Sequence, residues 1–162
     1  MSEPSLADKQ LFLDMAIAEA VSGARARQGG PFGAVVVKDG IVIAKAANAV
    51  VANNDPTAHA EVQAIRAACA VLGSFQLEGC DIYASCEPCP MCLGAILWAR
   101  PRALYFAATR QYAAAAGFDD AAFYETLAGH ADASPIIREQ VPCDDAGAPF
   151  AVYAGLPGKV RY

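Results

Sequence analysis

Basic side chains are in short supply. Twelve Lys and Arg against 17 Asp and Glu leave a formal net charge of −5. That balance excludes the broad basic face that duplex or tRNA phosphates require, while a small neutral substrate remains open. The chain lacks any apolar run of transmembrane length free of charges and prolines, so no membrane span is expected. It also lacks a secretory-type leader: Met1-Ser2-Glu3-Pro4 is acidic and leads into an amphipathic run, which points to a soluble, cytoplasmic protein. No repeat, low-complexity linker or second domain is visible. The 162 residues read as one domain, 1–162, and 56% hydrophobic residues suffice for a sizeable core. Heavy use of alanine favours closely packed helices.

The periodicity predicts a helix from Leu6 to about Arg27, ended by Gly29-Gly30-Pro31. Gly33–Val37 and Ile41–Ala44 flank Lys38-Asp39-Gly40, a strong hairpin signal. Asn53-Asn54-Asp55-Pro56 reads as a turn and helix start, with Pro56 near the first position of a helix over Thr57 to Leu72 that Gly73 closes. Cys80–Ala84 reads as a strand, Pro90 to about Ala99 as a helix stopped before Pro101, and Ala103–Ala107 as a fourth strand. Strands alternating with helices here suggest crossovers and partly parallel pairing. Asp119 to Leu127 reads as helical and Ile136 to Val141 as a last strand; Pro149 to Tyr162 shows no clear period.

Two short stretches carry the chemistry: His59-Ala60-Glu61 and Pro88-Cys89-Pro90-Met91-Cys92. They supply one imidazole, two thiols and a carboxylate that the metal does not need. Three N/S ligands with an open fourth position are the catalytic form of a zinc site, and four closed ligands the structural form. Cys89 and Cys92 are three apart, one turn apart on one helix face. The N-terminal turn of a helix favours thiolate over thiol. Cys86-Glu87-Pro88-Cys89 has the same spacing, so spacing alone does not choose the pair. Cys86 follows a strand directly, which favours Cys89 with Cys92. His59 and Glu61 do not share a helix face in mid-helix, but they can converge at a helix start. The other histidine, His130, sits next to Ala131 and Asp132 and reads as a solvated loop residue. Glu61, beside an activated water, is the expected proton shuttle. Each choice has a plainer counterpart: buried apolar cysteines, a structural histidine, a solvated helix carboxylate.

An H-x-E followed by P-C-x-x-C is the signature of the zinc nucleobase deaminases. The sequence resembles the cytidine-deaminase-like superfamily over most of its length and, within it, the small bacterial guanine deaminases. The telling stretches are Gly30-Pro31-Phe32-Gly33-Ala34, Asn54 to Glu61, Ser85 to Trp98 and Ala116-Gly117-Phe118-Asp119-Asp120, with a terminal Tyr162. The resemblance implies an α/β fold, a three-layer α/β/α sandwich around a mixed five-stranded sheet. It implies Zn2+ held by His59, Cys89 and Cys92, with Glu61 as proton shuttle and Asp120 acting on the departing amino group. It implies that Asn48 hydrogen-bonds the purine, that Phe32 packs on its ring, and that Ala60 and Tyr162 complete the substrate site. The implied reaction is hydrolytic deamination of guanine to xanthine and ammonia, in purine breakdown. The implied assembly is a homodimer exchanging C-terminal segments, from about residue 110 to 162, so that Asp120 and Tyr162 complete the partner's site. Without the resemblance, Asn48 could end a strand, Phe32 could be plain core, and Asp119 with Asp120 could be a charge pair at a helix start. Trp98 reads as core.

Rival readings stay in view. A tRNA adenosine deaminase must grip a flipped nucleotide and its phosphates. The acidic balance opposes that, and a compact basic pair such as Arg100 and Arg102 is too little for a tRNA footprint. Guanosine, cytosine and ammeline remain possible substrates. A non-catalytic zinc-binding module would need a fourth protein ligand, from Cys86, Cys80 or Cys143, and would leave Glu61 without a task.

Overall fold

The computed structural model describes residues 3–118, 120–129 and 136–160. By backbone contacts the chain divides into two units, residues 1–121 and 122–162. The first unit opens with α1 (Leu6–Arg25) and the hairpin β1 (Gly33–Lys38) and β2 (Ile41–Ala47). A short α2 (Val50–Asn53) precedes α3 (Ala60–Leu72). Then come β3 (Cys80–Cys86), α4 (Pro90–Ala99), β4 (Ala103–Ala108) and α5 (Arg110–Ala115). Helix α6 (Ala121–Leu127) straddles the division, and α7 (Ala148–Gly155) belongs to the second unit.

The sheet order is β2-β1-β3-β4. β1 pairs antiparallel with β2 and β3, and β4 lies parallel to β3. The parallel pair requires a crossover, which α4 supplies. β1 and β3 are central and buried on both faces, which is why Gly33-Ala34-Val35-Val36-Val37 is a continuous apolar run rather than an alternating one. Strand period then sorts the side chains. Val35, Val37 and Tyr83 pack against Phe12 and Ala16 of α1. Ala34, Val36, Cys80 and Ile82 pack on the other face, with Ala60, Ala64 and Ala68 of α3 and Ile96 and Ala99 of α4. The result is three layers, α1 over the sheet over α3 and α4. The alanine-rich sequence lets the helices sit close to it.

Helix α1 begins with a reciprocal cap. The Ser5 hydroxyl accepts from Asp8 N–H at 3.2 Å, and the Asp8 carboxylate accepts from Ser5 N–H at 3.2 Å. At the edge of the sheet remote from Cys86, Asp81 is buried and forms a two-pronged pair with Arg102, whose Nε donates to Asp81 Oδ1 at 2.8 Å. This pair ties the starts of β3 and β4 together.

Several expectations are corrected. The sheet has four strands among the described residues, not five. Ile136 to Val141 is not a strand: Ile136, Ile137 and Val141 are exposed, the polar Arg138-Glu139-Gln140 interrupts them, and the four-stranded sheet does not include them. Helix α3 starts at Ala60 rather than Thr57, because Asp55 Oδ1 accepts from both the N–H and the hydroxyl of Thr57 and holds 55–57 in a turn. Trp98 is 64% exposed and is not core. Short α2 and α5, and α7 in the aperiodic tail, were not legible as helices. Asp119, His130 and Tyr162 lie outside the described residues.

Gly33 marks the closest approach of α1 to the sheet. A methyl group there would run into the carbonyl oxygen of Ala16 and lie 2.6 Å from Ala20 N. The Gly33 N–H donates to the buried Ser85 hydroxyl at 3.0 Å, which joins β1 to the end of β3. Gly33→Ala must push α1 off its seat, so we expect it to destabilise the protein by about 3 kcal/mol, as overpacking of backbone against backbone does. Urea unfolding of the two proteins checks this.

Candidate metal centre and active site

The site forms where β3 ends, at the carboxyl edge of the parallel pair, the usual location for ligands in α/β sheets. Antiparallel pairing brings the start of β1 and the end of β2 to the same edge. Three segments therefore converge: the Gly30–Phe32 turn before β1, Asn48 after β2, and the loop from Cys86 to Cys89 after β3.

Two helices start there. His59 is the N-cap of α3, with extended backbone at φ −67° and ψ 153°, and Glu61 follows inside the first turn. The extended cap removes the mid-helix geometry that would point His59 and Glu61 apart. Cys89 is the N-cap of α4, Pro90 occupies the first turn, and Cys92 follows one turn on. His59 Nδ1 lies 3.6 Å from Cys89 Sγ and 3.5 Å from Cys92 Sγ. Zinc bonds of about 2.0–2.1 Å to nitrogen and about 2.3 Å to sulfur, at a tetrahedral angle, separate the two donors by about 3.6 Å. Both nitrogen–sulfur separations match a zinc site, and the three donor atoms lie within 4.8 Å of one another. Among the described residues no other His, Cys, Asp or Glu joins the cluster, so these three ligands would leave a zinc ion a fourth position for water or substrate. Cys86 points elsewhere, its thiol donating to Thr109 O at 3.6 Å.

The electrostatics suit a cation. Cys89 is pulled down to about 4, first by the hydrogen bond from Cys92, and also by His59 and the Cys92 N–H, against the cost of burial. Cys92 is pushed up by Cys89 foremost, then by burial and Glu61. The opposed shifts favour one proton shared by the two sulfurs, and a divalent ion held by them would take its place. His59 is raised, chiefly by its hydrogen bond with Cys89, with smaller contributions from Glu61 and Asp120. Glu61 is buried, in hydrogen-bonding contact with Cys92, and its carboxyl is raised by that burial. A carboxylate tuned upward is suited to taking and returning a proton near neutral pH.

Beside the triad, Asn48 is buried, and its Oδ1 accepts from Gly30 N–H at 3.1 Å and Val50 N–H at 3.2 Å. These two bonds fix the amide's orientation and leave its NH2 as the end available to a ligand. Asn48 N–H donates to Phe32 O at 2.9 Å and extends the β1–β2 ladder by one pair. Phe32 packs partly on the core and meets Phe118 edge-on, ring centroids 5.0 Å apart at 83°. A methyl group at Gly30 would lie 2.9 Å from the Phe32 ring and 3.1 Å from that of Phe118. Phe118 was missed as a candidate: as one aromatic among Ala and Gly, it gave no signal of its own beyond the resemblance. Ala60 is fully buried at the first position of α3. Asp120 is partly buried and adds to the negative field at His59 and Cys86.

Cys92→Ser should lose zinc, while Cys86→Ser should keep a full equivalent, as read by metal analysis of the purified proteins. Glu61→Gln should separate stability from chemistry. The folded carboxyl is raised above its ordinary 4.5, so the unfolded chain releases this proton first as pH rises. Stability is lost from about 4.5 upward until the folded group ionises, and the deficit then stays. With metal removed, Glu61→Gln should therefore melt higher than wild type at pH 7.5, and the advantage should vanish below about pH 4.5.

Residues 6–108 match the family model for the cytidine and deoxycytidylate deaminase zinc-binding region. Guanine deaminase of Bacillus subtilis is 50% identical over 94% of this chain and 98% of its own length, and its X-ray structure superposes with a TM-score of 0.91. A tRNA-specific adenosine deaminase of Agrobacterium fabrum is 47% identical over 64% of this chain and 67% of its own. A structure of guanine deaminase from Nitrosomonas europaea is 34% identical, covers 74% of this chain and 67% of that one, and has a TM-score of 0.60. The family model takes in every metal donor and all four strands, and one relative matches nearly end to end: this chain belongs to the cytidine and deoxycytidylate deaminase zinc-binding family.

Proposed function

We propose that the protein is a guanine deaminase, converting guanine and water to xanthine and ammonia in purine breakdown. One observation carries this reading. The match to guanine deaminase runs over 94% of the chain, whereas the match to the Agrobacterium tRNA deaminase covers 64%. The net charge of −5 also suits a free base better than a polyanion.

His59, Cys89 and Cys92 hold the metal in this proposal. Zinc bound there would supply Lewis acidity that lowers the pKa of a water to about 7. Glu61 takes a proton from the attacking water and delivers it to a ring nitrogen next to C2, so that the new C–O bond forms as the ring loses its double bond. Asp120 hydrogen-bonds the exocyclic amine; the remaining hydroxyl proton at C2 passes through Glu61 to that nitrogen, so the C–N bond breaks as the C2 carbonyl forms and ammonia leaves. Asn48 offers its NH2 to a purine acceptor, and Phe32 lies against the ring; together they hold C2 facing the water. The Ala60 N–H, at the open start of α3, and Tyr162 complete the set.

The proposal extends to one catalytic domain over residues 1–162, acting as a homodimer that exchanges C-terminal segments; because Arg110, Phe118 and Asp120 meet Glu87, Phe32 and the field of His59 within one chain, the exchange proposed starts beyond Asp120 rather than at about 110. Exposed apolar side chains support this assembly: Leu97 and Trp98 on α4, and Phe150 and Val152 on α7. Free thiol ligands favour a reducing compartment, which supports the cytoplasm.

The test is ammonia release from guanine, guanosine, adenine, cytosine and ammeline by the purified zinc enzyme. Guanine should exceed every other substrate by at least about 100-fold in kcat/KM, or about 2.7 kcal/mol of discrimination. Preference for cytosine or for a tRNA anticodon stem-loop would reject the reading. Glu61→Gln should retain zinc and lose at least about 1,000-fold in kcat, within the range of general acid–base catalysis.

A further inference from the structure

The ligand loop carries one acidic residue that the proposed chemistry does not use. Glu87 lies between Cys86, which ends β3, and Pro88-Cys89. Its N–H donates to Ala108 O at 2.8 Å, continuing the β3–β4 ladder. Its Oε2 accepts from Arg110 N–H at 3.1 Å. Arg110 is the first residue of α5, and the N-cap of that helix, Thr109, makes no side-chain capping bond. Glu87 thus supplies from another segment the acceptor that the helix's own cap does not, and its charge suits the positive helix start.

Helix α5 needs that support. It has six residues and buries none of them, too few to hold a helix on intrinsic propensity. Its far end sets an aromatic wall. Phe118 N–H donates to Ala113 O at 2.9 Å, closing the helix and aiming the Phe118 ring edge-on at Phe32. A continuous path therefore runs from the metal-ligand loop through Glu87 and α5 to Phe118 and Phe32. Asp120 follows Phe118 by two residues.

We infer that Glu87 is a positioning residue for the substrate pocket: from the ligand loop it fixes the start of α5 and, through α5, the seat of Phe118 against Phe32. The inference rests on the reading of Phe32 as the residue packing on the purine. It adds a specificity element that touches neither the metal nor the reacting atoms.

The test compares Glu87→Ala, which removes the acceptor, with Glu87→Gln, whose amide oxygen can still accept from Arg110. Both variants should keep one equivalent of zinc. Glu87→Ala should raise KM for guanine about fivefold, the weight of one lost helix cap, with kcat within about twofold. Glu87→Gln should restore most of the KM. Hydrogen exchange of the amides from 110 to 118 should accelerate in Glu87→Ala and stay near wild type in Glu87→Gln. That readout needs no substrate. If wild-type enzyme ignored guanine, the functional proposal would fail while exchange still decided the role of Glu87. Unchanged exchange and unchanged KM in Glu87→Ala would overturn the inference. So would loss of zinc from that variant, which would assign Glu87 to the ligand loop alone.

Discussion

Everything at the site depends on two helices starting at one place. The N-caps of α3 and α4 are themselves metal donors, and the extended backbone of each cap swings its side chain out of the helix and toward the other. Their convergence at 3.6 Å is a matter of backbone placement more than side-chain choice. Parallel pairing of β3 and β4 forces the crossover that starts α4 at this edge. Close packing of α3 on the same face brings the second start alongside. The alanines at 60, 64 and 68 are therefore functional at one remove: larger residues there would lift α3 and open the triad.

The same enclosure that shapes the triad opposes stability. Glu61 is buried where ionisation is costly, and Cys92 is held among negative neighbours. In the metal-free chain these groups favour their protonated forms, and a divalent cation would favour the charged ones. The coupling makes zinc a structural partner as well as a reagent. Remote from this strain, the Asp81–Arg102 pair and the Ser5–Asp8 cap are fully partnered and fix the framework at its other end.

Much of this was legible in the chain, for identifiable reasons. The Asp39-Gly40 turn between β-branched runs fixed the hairpin, and Pro90 and Pro101 bracketed α4. His59, Glu61, Cys89 and Cys92 stood out because metal chemistry restricts residue type and spacing together. Elements decided by tertiary contact were not legible. Helix α5 exists through a cap from Glu87, 23 positions earlier in the chain. The start of α3 was displaced by an Asp55 turn that competes with Pro56. Ile136 to Val141 has strand-forming residues, but the polar Arg138-Glu139-Gln140 interrupts them and the segment stays exposed. Phe118 joins the site only because a six-residue helix carries it there.

The order of elements along the chain has a consequence for biosynthesis. Among the described residues, the three metal donors lie between positions 59 and 92, and the fourth strand of the sheet closes at Ala108. The ion-binding framework is thus encoded before the final third of the polypeptide. It can assemble on the ribosome and take up its ion while the later residues are still being added. Natural variation in those later residues can then retune which base is accepted without dismantling the centre that performs the hydrolysis.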